Sequence, residues 1–75
     1  MNKIAGYRKM LGFTQEGMAK QFGISTQAYW KKEKGDTQFN DKEKLLFKEM
    51  LKTLFPEITI DEIFFSKNTK NYKDF

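Results

Sequence analysis

Residues 13–35 read "FTQEGMAKQFGISTQAYWKKEKG", two short amphipathic runs broken by a single glycine, Gly23. Thr14 opens the first run as an N-cap, and Glu16 lies in the first turn, where the helix dipole favours negative charge. Met18, Ala19 and Phe22 follow at i, i+1 and i+4, a one-sided apolar stripe on a helix of two turns. Ser25 caps the second run, a helix over 25–33 whose inner face is Ala28, Tyr29 and the stem of Lys32. Gly35 ends it. Between the runs four demands are met in register. Ala19 is small where two helices must approach closely, and Gly23 sits where the chain needs a positive φ that a Cβ would penalise. Ile24 plugs the turn from below, and Tyr29 anchors the second helix from inside.

Outward from this stretch the chain stays helical. Ile4, Tyr7 and Leu11 fall at i, i+3 and i+7, which predicts a helix over 2–11 closed by Gly12. After Gly35, "GDTQFN" reads as a loop. Asn40 with Glu43 three residues on forms a capping box for a fourth helix over 41–54, with the stripe Leu46, Phe47, Met50, Leu51 and Leu54 and a stop at Pro56. Thr59 with Glu62 repeats the box before a short fifth helix, in which Ile60, Ile63 and Phe64 share one face. No strand alternation, internal repeat or low-complexity segment interrupts the pattern. The expected fold is all-α: five short helices on one core over residues 1–65, followed by a loose, polar tail over 66–75 containing Lys67, Lys70 and Lys73.

Composition removes whole classes of chemistry. The chain has 75 residues and contains neither cysteine nor histidine, which excludes a disulfide framework, a Cys/His zinc site, a thiol nucleophile and a Ser-His-Asp triad. The neighbouring acids Asp61 and Glu62 point different ways on a helix, and capping accounts for Glu62 better than a metal does. No glycine loop is built to cradle phosphate and no acid–base pair is poised for catalysis, so neither enzyme activity nor a cofactor is expected. No apolar run approaches the roughly 20 residues of a membrane span. The charged N-terminus lacks a signal peptide's apolar region, which leads us to expect a cytoplasmic protein.

Charge is unevenly distributed. Residues 1–40 hold seven basic and three acidic side chains, a sum of +4; residues 41–75 hold seven of each, a sum of zero. The whole excess lies in the half that carries the opening stretch, which favours a polyanionic partner for that half.

Two short helices joined by a tight glycine-containing turn make a helix-turn-helix unit. "TQEGMAKQFGISTQAYWKKEKG" resembles that of the phage repressor and Cro-like family, the xenobiotic-response-element-type regulators, and especially the small regulators of phages of low-GC Gram-positive bacteria. The resemblance covers residues 3–35 well and residues 40–65 more loosely. It implies a lambda-repressor-like five-helix domain that lays its third helix in the DNA major groove, usually as a dimer on a pseudo-palindromic operator. By position, Thr14 and Gln15 match phosphate contacts at the start of the second helix, and Ser25 matches the first residue of the recognition helix. Thr26, Gln27 and Lys31 match its base-reading positions. Arg8 and Glu33 match a charged pair that ties the first helix to the end of the third. Two positions depart from the pattern: Lys32 replaces a residue that is more often large and apolar, and Trp30 one that is usually small or polar.

Chemistry supports these assignments. Gln27 can bond adenine N6 and N7 together, Lys31 can donate to guanine O6 or N7, and Thr26 can meet a base or a thymine methyl. Lys34, Thr37 and Gln38 follow the recognition helix, where loop groups commonly hold phosphates. Trp30 can stack on sugar, fill a dimer contact or bury partly against the fourth helix, burial being the commonest fate of a lone tryptophan. Phe65 lies about 100° round from Phe64 on an α-helix and should stay partly exposed, which makes it a candidate dimer contact. The expected function is sequence-specific binding of double-stranded DNA to regulate transcription, as a homodimer or as a heterodimer with a related repressor. The rival is a protein-interaction module of the same fold, either an antirepressor that binds a cognate repressor or an antitoxin.

Overall fold

Helix boundaries follow the capping residues closely. The computed structural model describes residues 2–65 and contains, in order, α1 (Lys3–Met10), α2 (Gln15–Phe22), α3 (Thr26–Lys34), α4 (Asp41–Leu51) and α5 (Asp61–Phe65), with no strand among the described residues. The expected tail over 66–75, with its three lysines, lies outside the described residues. Asn2, Thr14, Ser25 and Asn40 each accept a backbone N–H three residues on with a side-chain oxygen, which satisfies a donor that the helix start would otherwise orphan. At Asn40 the reciprocal bond from its own N–H to Glu43 completes the capping box.

The turn between α2 and α3 is made by Gly23, which adopts φ 72° and ψ 30° and returns its N–H to the carbonyls of α2. Ile24 N–H then bonds Ala19 O at 3.1 Å, which closes the α2 end. Buried Ala19 leaves room for the pairing of α2 with α3, the most extensive between any two helices.

The core is aromatic at its centre. Met18, Tyr29, Phe47 and Leu51 are fully enclosed, and Ile63 closes the layer from α5. Phe22 lies edge-on to Tyr29, Phe39 and Phe47 with ring centroids 5.8–6.0 Å apart, and Phe64 covers Phe39 and Phe47 at 5.3 and 5.8 Å. Edge-to-face pairs of this kind add about 0.5–1.5 kcal/mol each beyond the area they bury.

Four features differ from the sequence reading. Phe39, in the loop after Gly35, is a core residue, because the loop folds back over α3 and α4. Isoleucine 58, in the irregular segment after Pro56, is buried as well. Helix α4 ends at Leu51 rather than 54. Pro56 lacks an N–H and disfavours helical backbone at the residue before it. The chain tightens early into turns, with Leu54 and Phe55 N–H both bonding Leu51 O, so Leu54 leaves the stripe and is 45% exposed. Finally, α5 is wound as a π-helix, although Thr59 and Glu62 form the expected reciprocal bonds. Its Ile63 and Phe64 face the core as anticipated, whereas Ile60, expected on the same face, is half-buried outside the core cluster; the Lys3 ammonium bonds the Glu62 carbonyl, which ties α5 to α1.

Candidate nucleic-acid interface

Helix α3 has two chemically distinct sides. Tyr29 and Glu33, one turn apart, point inward and are buried; Gln27, Trp30, Lys31 and Lys34 recur at i, i+3, i+4 and i+7 and are exposed.

The inward side is organised by the Glu33 carboxylate. Arg8 Nε donates to Oε2 at 2.7 Å and Arg8 Nη2 approaches Oε1 at 3.4 Å. Gln15 Nε2 donates to Oε1 at 2.8 Å and the Tyr29 hydroxyl to Oε2 at 2.7 Å. Arg8 also donates to Phe13 O, and Asn2 Nδ2 donates to the backbone oxygen of Glu33. One acid thus joins α1, α2 and α3. The pair that the sequence suggests between residues 8 and 33 is not a surface ion pair, worth about 0–1 kcal/mol, but a buried one; removing one partner from such a pair typically costs about 3–5 kcal/mol.

The ionisation of these groups follows from the same contacts. Burial alone would raise the Glu33 carboxyl, but the hydrogen bonds from Arg8, Gln15 and Tyr29 together hold it below the ordinary carboxylate range. Burial and the bond to Glu33 push the Tyr29 phenol well above its ordinary range, so it remains a donor at neutral pH. The hydrogen bond to Glu33 raises the Arg8 guanidinium further against the opposing effect of burial.

Gln15 has a structural partner that the phosphate-contact reading did not foresee. Its side-chain nitrogen gives one N–H to Glu33, which leaves the second N–H and the amide oxygen for another partner. Thr14 and Ser25 use a hydroxyl oxygen to cap their helices, and the hydroxyl hydrogen stays free to donate.

On the outward side, Ser25, Gln27, Ala28, Lys31, Lys32 and Thr37 line a shallow open groove of about 500 Å³. Thr37 is drawn in by the Asp36 and Thr37 N–H groups, which both bond Lys31 O. Thr26 is exposed at the start of α3 and Gln38 beyond its end, outside this groove. The structure therefore brings Ser25, Gln27, Lys31 and Thr37 onto one surface.

Two basic residues have partners that the sequence reading missed. Lys32 packs its stem at the core edge, places Nζ 6.0 Å from the Phe39 ring centroid and pairs with Glu43 at 2.7 Å, so Glu43 caps α4 and neutralises α3 at once. This is how the core edge accommodates a lysine on the inner side of α3. Trp30 is not buried against α4; it is 43% exposed, and Lys34 Nζ stands 3.9 Å from its ring centroid. Lys34 also lies 3.5 Å from Asp36 Oδ2. The i, i+4 spacings of Tyr29–Glu33 and Trp30–Lys34 are the sequence signals that could have revealed both pairs.

Phe65 is 45% exposed, with Lys44 Nζ 4.8 Å from its ring centroid. No described helix is long and apolar enough to cross a membrane. Among known proteins, no family model, no curated protein and no solved structure matches this chain. The chemistry of its own residues carries the functional reading.

Proposed function

We propose that this chain is a sequence-specific double-stranded-DNA-binding regulator of transcription, a binding protein rather than an enzyme, with α2 and α3 as a helix-turn-helix in a lambda-repressor-like domain. In this reading α3 enters the major groove, Gln27 and Lys31 read base edges with Thr26 beside them, and Thr14, Ser25, Lys34, Thr37 and Gln38 hold the backbone. Gln15 positions the recognition helix by giving one N–H to Glu33 and offers the other to a phosphate.

The observation that carries the reading is the outward stripe of α3. Amide and ammonium donors stand exposed beside a groove, on a helix whose opposite side is fixed by a buried carboxylate. Gln27 and Lys31, held on a rigid element with no side-chain partner among the described residues, suit recognition of base edges, which need fixed geometry more than net charge. One domain this small covers little groove surface, so a dimer spanning two half-sites one helical turn apart supplies the specificity.

Selection of binding sites from random duplexes with the purified protein tests this reading. An enriched palindrome is expected, and recovery of no preferred sequence overturns it. On the selected site Gln27→Ala should cost about 1–3 kcal/mol and relax the preference at one base pair, while Lys34→Ala weakens all sequences about equally. An unchanged base preference in Gln27→Ala would exclude that residue as a reader.

The exposed apolar side chains Leu54, Phe55 and Phe65 on the neutral half favour a second reading, an interaction module such as an antirepressor or antitoxin. Neutralising the 24–34 segment separates the two, since an interaction module would keep its protein partner and a DNA reader would lose its operator.

A further inference from the structure

The exposed stripe of α3 includes one position that neither the core nor base reading explains. Cations in the last turn, Lys31, Lys32 and Lys34, are accounted for by the helix dipole. A tryptophan is not. Trp30 is the largest side chain on the outward face, shares its stripe with Gln27 and Lys31, and carries the Lys34 ammonium on its ring at 3.9 Å. Among the described residues Lys34 faces one further charged group, the Asp36 carboxylate at 3.5 Å, and both ends of that pair are about half exposed.

From this arrangement we infer that Trp30 and Lys34 form a composite contact for the DNA sugar-phosphate backbone, and that Asp36 is a built-in anion displaced from Lys34 by a phosphate. The inference rests on the reading of α3 as a recognition helix and gives Trp30 a function within it. The chemistry is complementary at each point. The indole offers an apolar surface to deoxyribose and a single N–H donor to a phosphate oxygen. The ring keeps the lysine stem ordered before binding, so less side-chain freedom is lost on contact. Asp36 occupies the side of the ammonium that a phosphate would take. It lowers affinity for every duplex alike, because like charges beside the backbone oppose binding without regard to sequence.

Trp30 is the only tryptophan in the chain, so its emission reports on this contact alone. The experiment titrates the protein with a fluorescein-labelled mixed-sequence duplex about two helical turns long. Anisotropy of the label follows binding, and acrylamide quenching of Trp30 follows its exposure. Quenching should fall several-fold at saturation. Trp30→Ala should weaken binding to every duplex roughly tenfold, Trp30→Phe should retain most of it, and Asp36→Asn should tighten it about threefold or more at low salt. Binding by anisotropy with unchanged quenching would overturn the contact while leaving the DNA reading intact. Unaltered affinity in Asp36→Asn would overturn the displacement by phosphate. Failure of any duplex to bind would remove the DNA reading and this inference together.

Discussion

At the scale of single residues, Gly23 shows most directly how a sequence position dictates geometry. Its φ of 72° lies in the left-handed region, while a Cβ built there would meet no atom within 4 Å. The requirement for glycine is therefore one of backbone conformation and not of space. Gly23→Val should lower stability by more than about 1 kcal/mol, and Gly23→Asn by clearly less, since asparagine tolerates this conformation better than a β-branched residue. Urea midpoints check the difference; equal midpoints for both variants would mean that the turn is limited by something other than φ. Trp30 and Phe39 mark the opposite case. Nothing local distinguishes a phenylalanine in a polar loop that will fold onto the core from one that will not. Nor does local pattern decide whether a lone tryptophan is buried, because both outcomes depend on where distant helices come to lie.

Among the elements, capping chemistry made α2, α3 and the start of α4 readable, because a cap acts within four residues and needs no tertiary information, while α1 was readable from its apolar spacing and Gly12. The end of α4 and the winding of α5 were not readable in the same way. Pro56 marks where a helix must stop but not how many residues before it unwind, and the segment between α4 and α5 packs against α1, with the Tyr7 and Phe55 rings edge-on at 6.3 Å. The Glu33 carboxylate was legible only as half of a pair. Its bonds to Gln15 and Tyr29 require the three helices to converge, and spacing alone does not establish that. Since α1, α2 and α3 meet on this acid, its ionisation should govern their association. The folded carboxyl sits below its ordinary value, so its contribution is fully present above the usual carboxylate range and is lost as pH falls through the folded value. Tyr29→Phe removes one of the bonds that depress it. That variant should lose about 1.5–3 kcal/mol at neutral pH, the usual range for a hydrogen bond to a charged group, and its acid unfolding should begin at higher pH than in the wild type. Urea midpoints measured between neutrality and the acid limb provide the check; curves that run parallel down the acid limb would show that Tyr29 does not tune Glu33.

For the whole molecule, the charge excess belongs to the half of the sequence that contains α3, while the exposed apolar side chains Leu54, Phe55 and Phe65 belong to the half whose charges cancel. A single exposed phenylalanine is tolerable on a monomer, but a symmetric contact would bury two at once. Among the described residues Phe65 makes no ring–ring contact with the core aromatics, and its exposed ring carries the Lys44 ammonium at 4.8 Å, so Phe65→Ser should leave the monomer folded while weakening self-association. Sedimentation of both proteins across micromolar concentrations tests this; identical monomeric behaviour would move dimerisation onto the DNA itself. The two sides of α3 have one more consequence. No side-chain hydrogen bond or ion pair among the described residues links Gln27, Trp30, Lys31 or Lys34 to Tyr29 or Glu33. Replacements on the outer side are free of the inner one. A lineage of such chains could trade one ligand preference for another in single steps without leaving the folded state. Positions 8, 15, 29 and 33, by contrast, can be remodelled only by several simultaneous changes, so divergence in what is bound should run far ahead of divergence in how the chain holds together.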